Sequence, residues 1–303
     1  MSVISKIQFD IMKRRKLFFT LSTVLTILGI VSLLTLGLNR GVDFKAGTTL
    51  DITSQQTMDR AAVNEILSKA GYEDVNPTVG GKTASIRFDK VLAQEETEKI
   101  VSGFKAVYGE GISKEENTVD VQLANELALK AIYAVLIASV GISLYVSIRF
   151  EWRFAIGAIV STLYDAFLVI TLFSLFRLEV NLPFVAAVLT IVGYSINDTI
   201  VIFDRIRENQ RFSKLRNEHD LADLVNKSIW QTMTRSINTV LTVLIGAVCL
   251  WIFGSEGIRH FSLAMIFGLL SGAYSSIFIA SPIWFVLKKK TIGTGRKPAA
   301  AKD

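Results

Sequence analysis

The sequence is poor in the residues that build cross-linked or reactive sites. A single cysteine, Cys249, stands in 303 residues, so no disulfide can form within the chain. The two histidines, His219 and His260, flank apolar runs and sit far apart. No group of Cys, His and acidic residues has metal-ligand spacing, and no metal or cofactor is expected. The formal charge of +6 does not point to nucleic acid either. Its basic residues gather beside the ends of apolar runs, as membrane topology requires, and form no separate patch. A removable leader is also a poor fit. The N-terminal run Leu17–Leu38 is long for a signal-peptide core, and Leu36 to Arg40 lack a small-residue cleavage site. It reads as a retained helix.

What the chain has instead is long apolar stretches, with half of its residues hydrophobic. A bilayer core is crossed by about 20 apolar helical residues. Spans are expected at Leu17–Leu38, Ala128–Ile148, Phe154–Phe176, Leu182–Phe203, Ile237–Phe253 and Phe261–Leu287. The fold class is therefore a polytopic α-helical membrane protein with six transmembrane helices. A small α+β ferredoxin-like extracytoplasmic domain is expected between helices 1 and 2. The organisation read from this is an N-terminus and first helix over 1–38, a domain over 39–127, a five-helix bundle over 128–287 and a basic tail over 288–303. Lys and Arg concentrate in the N-terminal segment, in Arg149–Arg153, in Asp204–Ser236 and after Lys288. The opposite connections hold little beyond Arg177 and Arg259. By the positive-inside rule both termini are cytoplasmic.

Within the large loop, Thr48–Thr53 alternates like a half-buried strand. A helix capped by Thr57 runs to Gly71, two short strands flank Gly80 and Gly81 with Thr83–Phe88 as the second, and Gln94–Tyr108 forms another helix. A last strand is expected near Val119–Val121. The order βαββαβ is the split ferredoxin-like pattern. The stretch Asp220–Thr232 carries Leu221, Leu224, Val225 and Ile229 on one face and reads as an amphipathic helix at the cytoplasmic interface.

Two acids fall inside the spans. Asp165 lies in the third and Asp198 in the fourth. A charged side chain at mid-bilayer costs about 2.5–3.5 kcal/mol on the lenient insertion scale. Polar glue between helices returns only about 0.6 kcal/mol per pair. Both acids are open to either reading, glue or proton relay, and Asp198 has the richer setting. Ser195 shares its helical face, Asn197 and Thr199 adjoin it, and Gly193 would allow a neighbouring helix to approach. Arg235 is equally readable as a counter-charge for Asp198 or as an interfacial anchor, while Asp204, Arg205 and Arg207 read as a charged helix end. Gly268 and Gly272, with Ser271, Ser275 and Ser276 nearby, form a small-residue stripe that marks tight packing rather than chemistry.

Two stretches carry a resemblance. Gly41, Val42, Asp43, Phe44, Lys45, Ala46, Gly47 and Thr48 resemble the opening motif of the SecD/SecF protein-export family, with Ala46 where that family commonly has Gly. The run from Val192 through Gly193, Asp198, Asp204 and Arg205 to Asn209 is similar to the fourth-helix signature of the SecF branch. The likeness extends from about Phe9 to Lys288. It implies membership of the RND superfamily and a place in a bacterial cell membrane. It implies pairing with SecD, cooperation with the SecYEG channel and the SecA motor, and exported preproteins as cargo moved with the proton or sodium motive force. Asp198 then matches the family's essential fourth-helix aspartate, Arg235 a functional arginine of the fifth helix, and Asp165 a third-helix acid. Two other readings compete. A self-sufficient RND-like small-molecule exporter usually carries duplicated halves, and this chain has one. An intramembrane aspartyl protease would need Gly-x-Gly-Asp at the second acid, where Ser195, Ile196 and Asn197 stand instead. No enzyme activity is expected.

Overall fold

The structure, a computed structural model, describes residues 9–292 except 74 and 214. Most of the basic tail therefore lies outside the described residues. Among the described residues, six helices are long and apolar enough to cross a membrane. They are α1 (Arg15–Thr35), α5 (Val121–Arg149), α6 (Trp152–Leu175), α7 (Leu182–Phe212), α8 (Glu218–Phe253) and a last rod. That rod is α9 (Glu256–Ser275), a π turn (Ser276–Ala280) and α10 (Ser281–Ile292). The helices overrun the apolar runs that announce them. Helix α7 continues past Phe203, because Ile206 is fully buried beneath its charged turn. Helix α8 absorbs the amphipathic stretch Asp220–Thr232, whose Leu221, Leu224, Val225 and Ile229 are buried in protein with Phe203 and Trp284. The stretch is amphipathic and helical as expected, but it is the first part of α8. The apolar face is covered by the bundle rather than by lipid.

Between α1 and α5 lies the small domain. Its strands β2 (Gly47–Thr53), β3 (Thr78–Gly80), β4 (Thr83–Phe88) and β5 (Ser113–Val119) form an antiparallel sheet in the order β3-β4-β2-β5. Helices α3 (Arg60–Ala70) and α4 (Gln94–Tyr108) cover one face. That is the ferredoxin-like arrangement. Leu50, Ile52, Ala84, Ile86 and Phe88 alternate inward against Val63, Leu67, Ile100 and Phe104, each large buried side chain contributing about 1.5–3 kcal/mol. Two local expectations fail. Helix α3 starts after Asp59, not Thr57. The last strand ends at Val119 because the Asp120 carboxylate accepts from the Leu123 amide at 2.7 Å and opens α5.

The domain is tied to the bundle on one side. Strand β1 (Asn39–Arg40), leaving α1, pairs in parallel with β6 (Glu179–Val180) between α6 and α7. The one-turn helix α2 (Val42–Lys45) follows. On the other side, a cavity of about 300 Å³ separates the polar sheet face of Thr49, Asp51 and Ser85 from the helix ends at Pro183 and Ile258.

In the bundle, α9 packs against α6, α7 and α8. An apolar core near the domain contains Val169, Phe173, Ile191 and Leu269. A second, at the far end, contains Ala158, Phe203, Ile277 and Trp284. Between these cores each of α6, α7 and the last rod carries polar side chains that meet one another. Asp165, Ser195, Asp198, Thr199, Ser271, Ser275 and Ser276 make one polar layer across the middle of the bundle.

Candidate functional site

Asp165 on α6 is fully buried, yet its carboxylate is not bare. Ser271 donates to Oδ1 at 2.5 Å, and Ser195 and Ser275 donate to Oδ2 at 2.5 and 2.6 Å. Ser271 and Ser275 stand one turn apart on α9 and so share a face. Three helices thus converge on one carboxylate, whose oxygens accept from three hydroxyls. Close approach makes this possible. A Cβ on Gly268 would fall 2.3 Å from Ile191, inside any tolerable contact. One on Gly272 would lie 3.5 Å from the Cα of Ser195 and 3.8 Å from Asp165 Oδ2. The small-residue stripe is therefore both a packing seam and the hydroxyl shell of Asp165. The reading of it as packing alone was incomplete. Directly after Ser275 the helix widens into the π turn, where Ser276 and Thr199 share a 2.8 Å hydrogen bond. Such turns recur at functional sites.

Asp198, nearly one turn beyond Ser195 on α7, has a different setting. Its Oδ1 accepts from Ser236 of α8 at 2.5 Å, and its Oδ2 is buried with no hydrogen-bond partner among the described residues. Arg235, exposed on α8, lies within electrostatic reach. Asp198, Ser195, Asn197, Thr239 and Gly272 line a cavity of about 20 Å³, roughly the room of one water molecule. The predicted neighbours are sorted by this geometry. Ser195 turns to Asp165 rather than to Asp198, and Asn197 is exposed beside the cavity. No helix of this chain approaches Gly193, which is exposed on α7 one turn before Asn197. Asp204 and Arg205 pair within their own turn of α7, with Arg207 at 2.8 Å and Glu208 at 2.7 Å.

The stretch Gly41–Thr48 is structural in detail. Asp43, buried, accepts from the Leu182 amide at 2.9 Å with Oδ2 and from the Asn117 side chain at 3.1 Å with Oδ1. One carboxylate thus holds the first amide of α7 and strand β5 of the domain together, a favourable place for negative charge at a helix N-terminus. The Gly41 amide donates to Val180 at 2.8 Å, and Phe44 is packed among Phe173 and Phe184. Thr48, fully buried, accepts from the Leu92 amide at 3.0 Å. Gly47 has φ 138°, and a Cβ would stand 2.2 Å from the Phe88 carbonyl. Ala46 has φ 68° and ψ 153°, a region that only glycine occupies freely. Its departure from the family pattern is thus a strained one.

Sequence reasoning missed Ser236 and the role of Ser271 and Ser275. The one-turn spacing of the latter pair, opposite an acid on a neighbouring span, was the available signal.

Six spans, a polar layer holding two carboxylates and a ferredoxin-like domain inserted after the first span define a multi-pass membrane protein with an intramembrane acid site. The family pattern described as "Protein export membrane protein SecD/SecF, C-terminal" matches residues 99–290, and the SecD/SecF GG motif matches residues 31–58. A protein translocase subunit SecF from Alicyclobacillus acidocaldarius is 46% identical over 97% of this chain and 99% of its own. Protein translocase subunit SecDF from Bacillus subtilis is 45% identical over 94% of this chain, which spans only 39% of that protein. The crystal structure of SecDF from Thermus thermophilus, a translocon-associated membrane protein, superposes with a TM-score of 0.81 at 31% identity, covering 96% of this chain and 40% of the other. The chain belongs to the SecD/SecF protein-export family, on its SecF branch, among protein translocase subunits.

Proposed function

We propose that this chain is the SecF half of a SecD–SecF pair in a bacterial cell membrane. It uses the proton or sodium gradient to assist late export through the SecYEG channel served by SecA. The observation that carries this reading is the buried, unpartnered Oδ2 of Asp198 beside a water-sized cavity. A carboxylate oxygen left open inside a membrane bundle is poised to bind and release a cation. Arg235 tunes it electrostatically. Movement at Asp198 reaches the domain through α7, whose first amide is held by Asp43, while the 300 Å³ cavity leaves the domain room to shift.

The partner's place is supported by exposure. Asn197 of α7 and Gln231, Arg235, Asn238 and Thr242 of α8 are exposed. Polar groups at membrane depth face protein or water rather than lipid, so this seam suits a second six-helix half. The concentration of basic residues at the end of the bundle opposite the domain supports cytoplasmic termini.

Reconstituted with SecD, SecYEG and SecA, the chain should show gradient-stimulated export. Asp198→Asn should still co-purify with SecD and lose that stimulation. Full stimulation by the variant would sink the coupling role, and recovery of the chain from mild detergent without any SecD-like subunit would sink the pairing. For orientation, a cysteine at Lys82 in a Cys249→Ser background should be labelled in intact cells, and one at Ser213 should not.

A further inference from the structure

Asp165 is the more deeply buried of the two intramembrane acids, and the coupling role at Asp198 leaves it without a task. No ion pair reaches it among the described residues, so its charge is met only by hydroxyls. A buried carboxylate in that position is balanced by taking up one positive charge, here a proton passed from a neighbour. The neighbour is present. Ser195 donates to Asp165 Oδ2 on one side and lines the same small cavity as Asp198 on the other. At about 20 Å³ the cavity has room for one bridging water. Asp198 presents an open oxygen, and Ser236 fixes its other one.

We propose that Asp165 is a second proton station, joined to Asp198 by a wire through Ser195 and one water in the cavity between them. This rests on the coupling role of Asp198. In one passage, protonated Asp198 gives its proton to the water, and the water gives one to Ser195 Oγ. Ser195 gives its own to Asp165 Oδ2. Each O–H bond broken is matched by one formed, and the net change is one proton moved from Asp198 to Asp165. Ser271 and Ser275 are positioning residues that keep Asp165 solvated in either state. The ionisable groups around the wire are Arg235 beside Asp198 and Tyr164 beside Asp165, with Tyr274 of α9 next to Tyr164. Arg235 stands nearest the Asp198 end, and no cation stands beside Asp165 among the described residues.

The test uses the full chain with SecD in reconstituted vesicles, following gradient-driven export and proton uptake against pH. Wild type should show two coupled protonation steps. Ser195→Ala keeps both acids, so it should preserve assembly, lower the proton-driven rate by more than about tenfold and leave a single step. Asp165→Asn should do the same. If that variant fails to assemble, Ser195→Ala decides alone. Loss of activity in Asp198→Asn together with wild-type rate and pH profile in Ser195→Ala would overturn the wire and leave the coupling role standing. Activity in Asp198→Asn would remove both. A rate that follows sodium at constant pH would overturn the proton station.

Discussion

Asp43 and Asp198 act on the same helix and are built in opposite ways. Asp43 sits where α7 begins, with both oxygens used, one by the Leu182 amide and one by Asn117. Asp198 lies roughly 24 Å further along α7, at ~1.5 Å per residue, with one oxygen held by Ser236 and the other left open. A saturated carboxylate fixes geometry, and an unsaturated one can exchange what it binds. The two stretches that tie the chain to its family thus divide the labour. The first joins a helix to a domain, and the second, in the proposed coupling role, gives that helix something to respond to.

The largest effect expected from this contrast is on stability. Asp43→Ala strands a helix-terminal amide and the Asn117 side chain, and should cost about 2–4 kcal/mol, visible as a lower thermal midpoint in detergent. Asp198→Asn removes no saturated contact, because an amide oxygen still accepts from Ser236. It should stay within about 1 kcal/mol of wild type. Equal destabilisation by both variants would break the comparison.

A smaller effect of opposite sign should follow from Ala46→Gly. Ala46 carries a backbone conformation that costs a side-chain-bearing residue about 1–3 kcal/mol. Glycine relieves that strain but returns some chain entropy to the unfolded state, roughly 0.5–1 kcal/mol. The net expectation is a gain of about 1 kcal/mol, read as a raised thermal midpoint. A loss of stability would show that the strain at Ala46 is compensated by its buried methyl group.

How much of this was legible in the sequence depended on the period of the signal. The spans, the domain's alternating strands and the two acids stood out, because apolar length and a charge inside an apolar run are local features. The ends of helices did not. Residues Ile206 and Leu221–Ile229 look like polar-flanked loop or interfacial helix until the bundle is seen to cover them. The hydroxyl shell of Asp165 was hidden for another reason. Its donors come from α7 and α9, and nothing in the order of residues says that these helices meet at Asp165. Gly193 is exposed with no neighbour from this chain, so what approaches it was not legible either.

The smallest effect concerns a carboxylate outside the membrane altogether, and it tests whether saturation by donors also governs the domain. Glu96, in the first turn of α4, accepts from Lys90 at 2.8 Å, from the Ala93 amide at 3.0 Å and from the Tyr72 hydroxyl at 3.0 Å. The Lys90 ammonium, with the Ala93 amide and the Tyr72 hydroxyl, holds its carboxyl down at about 2, from an ordinary 4.5. A folded value below the unfolded one means that the contribution is fully present above about 4.5 and fades as the pH falls towards 2. Solvent screening keeps it small. The protection of the Ala93 amide against hydrogen exchange, relative to its intrinsic rate, should therefore fall across that interval, more than at the buried strands β2 and β4. Glu96→Gln should flatten the pH dependence while leaving export at neutral pH unchanged. An unaltered pH dependence in Glu96→Gln would mean that another group opens α4, and that three donors on an exposed carboxylate do not fix a helix end as two donors on the buried Asp43 do.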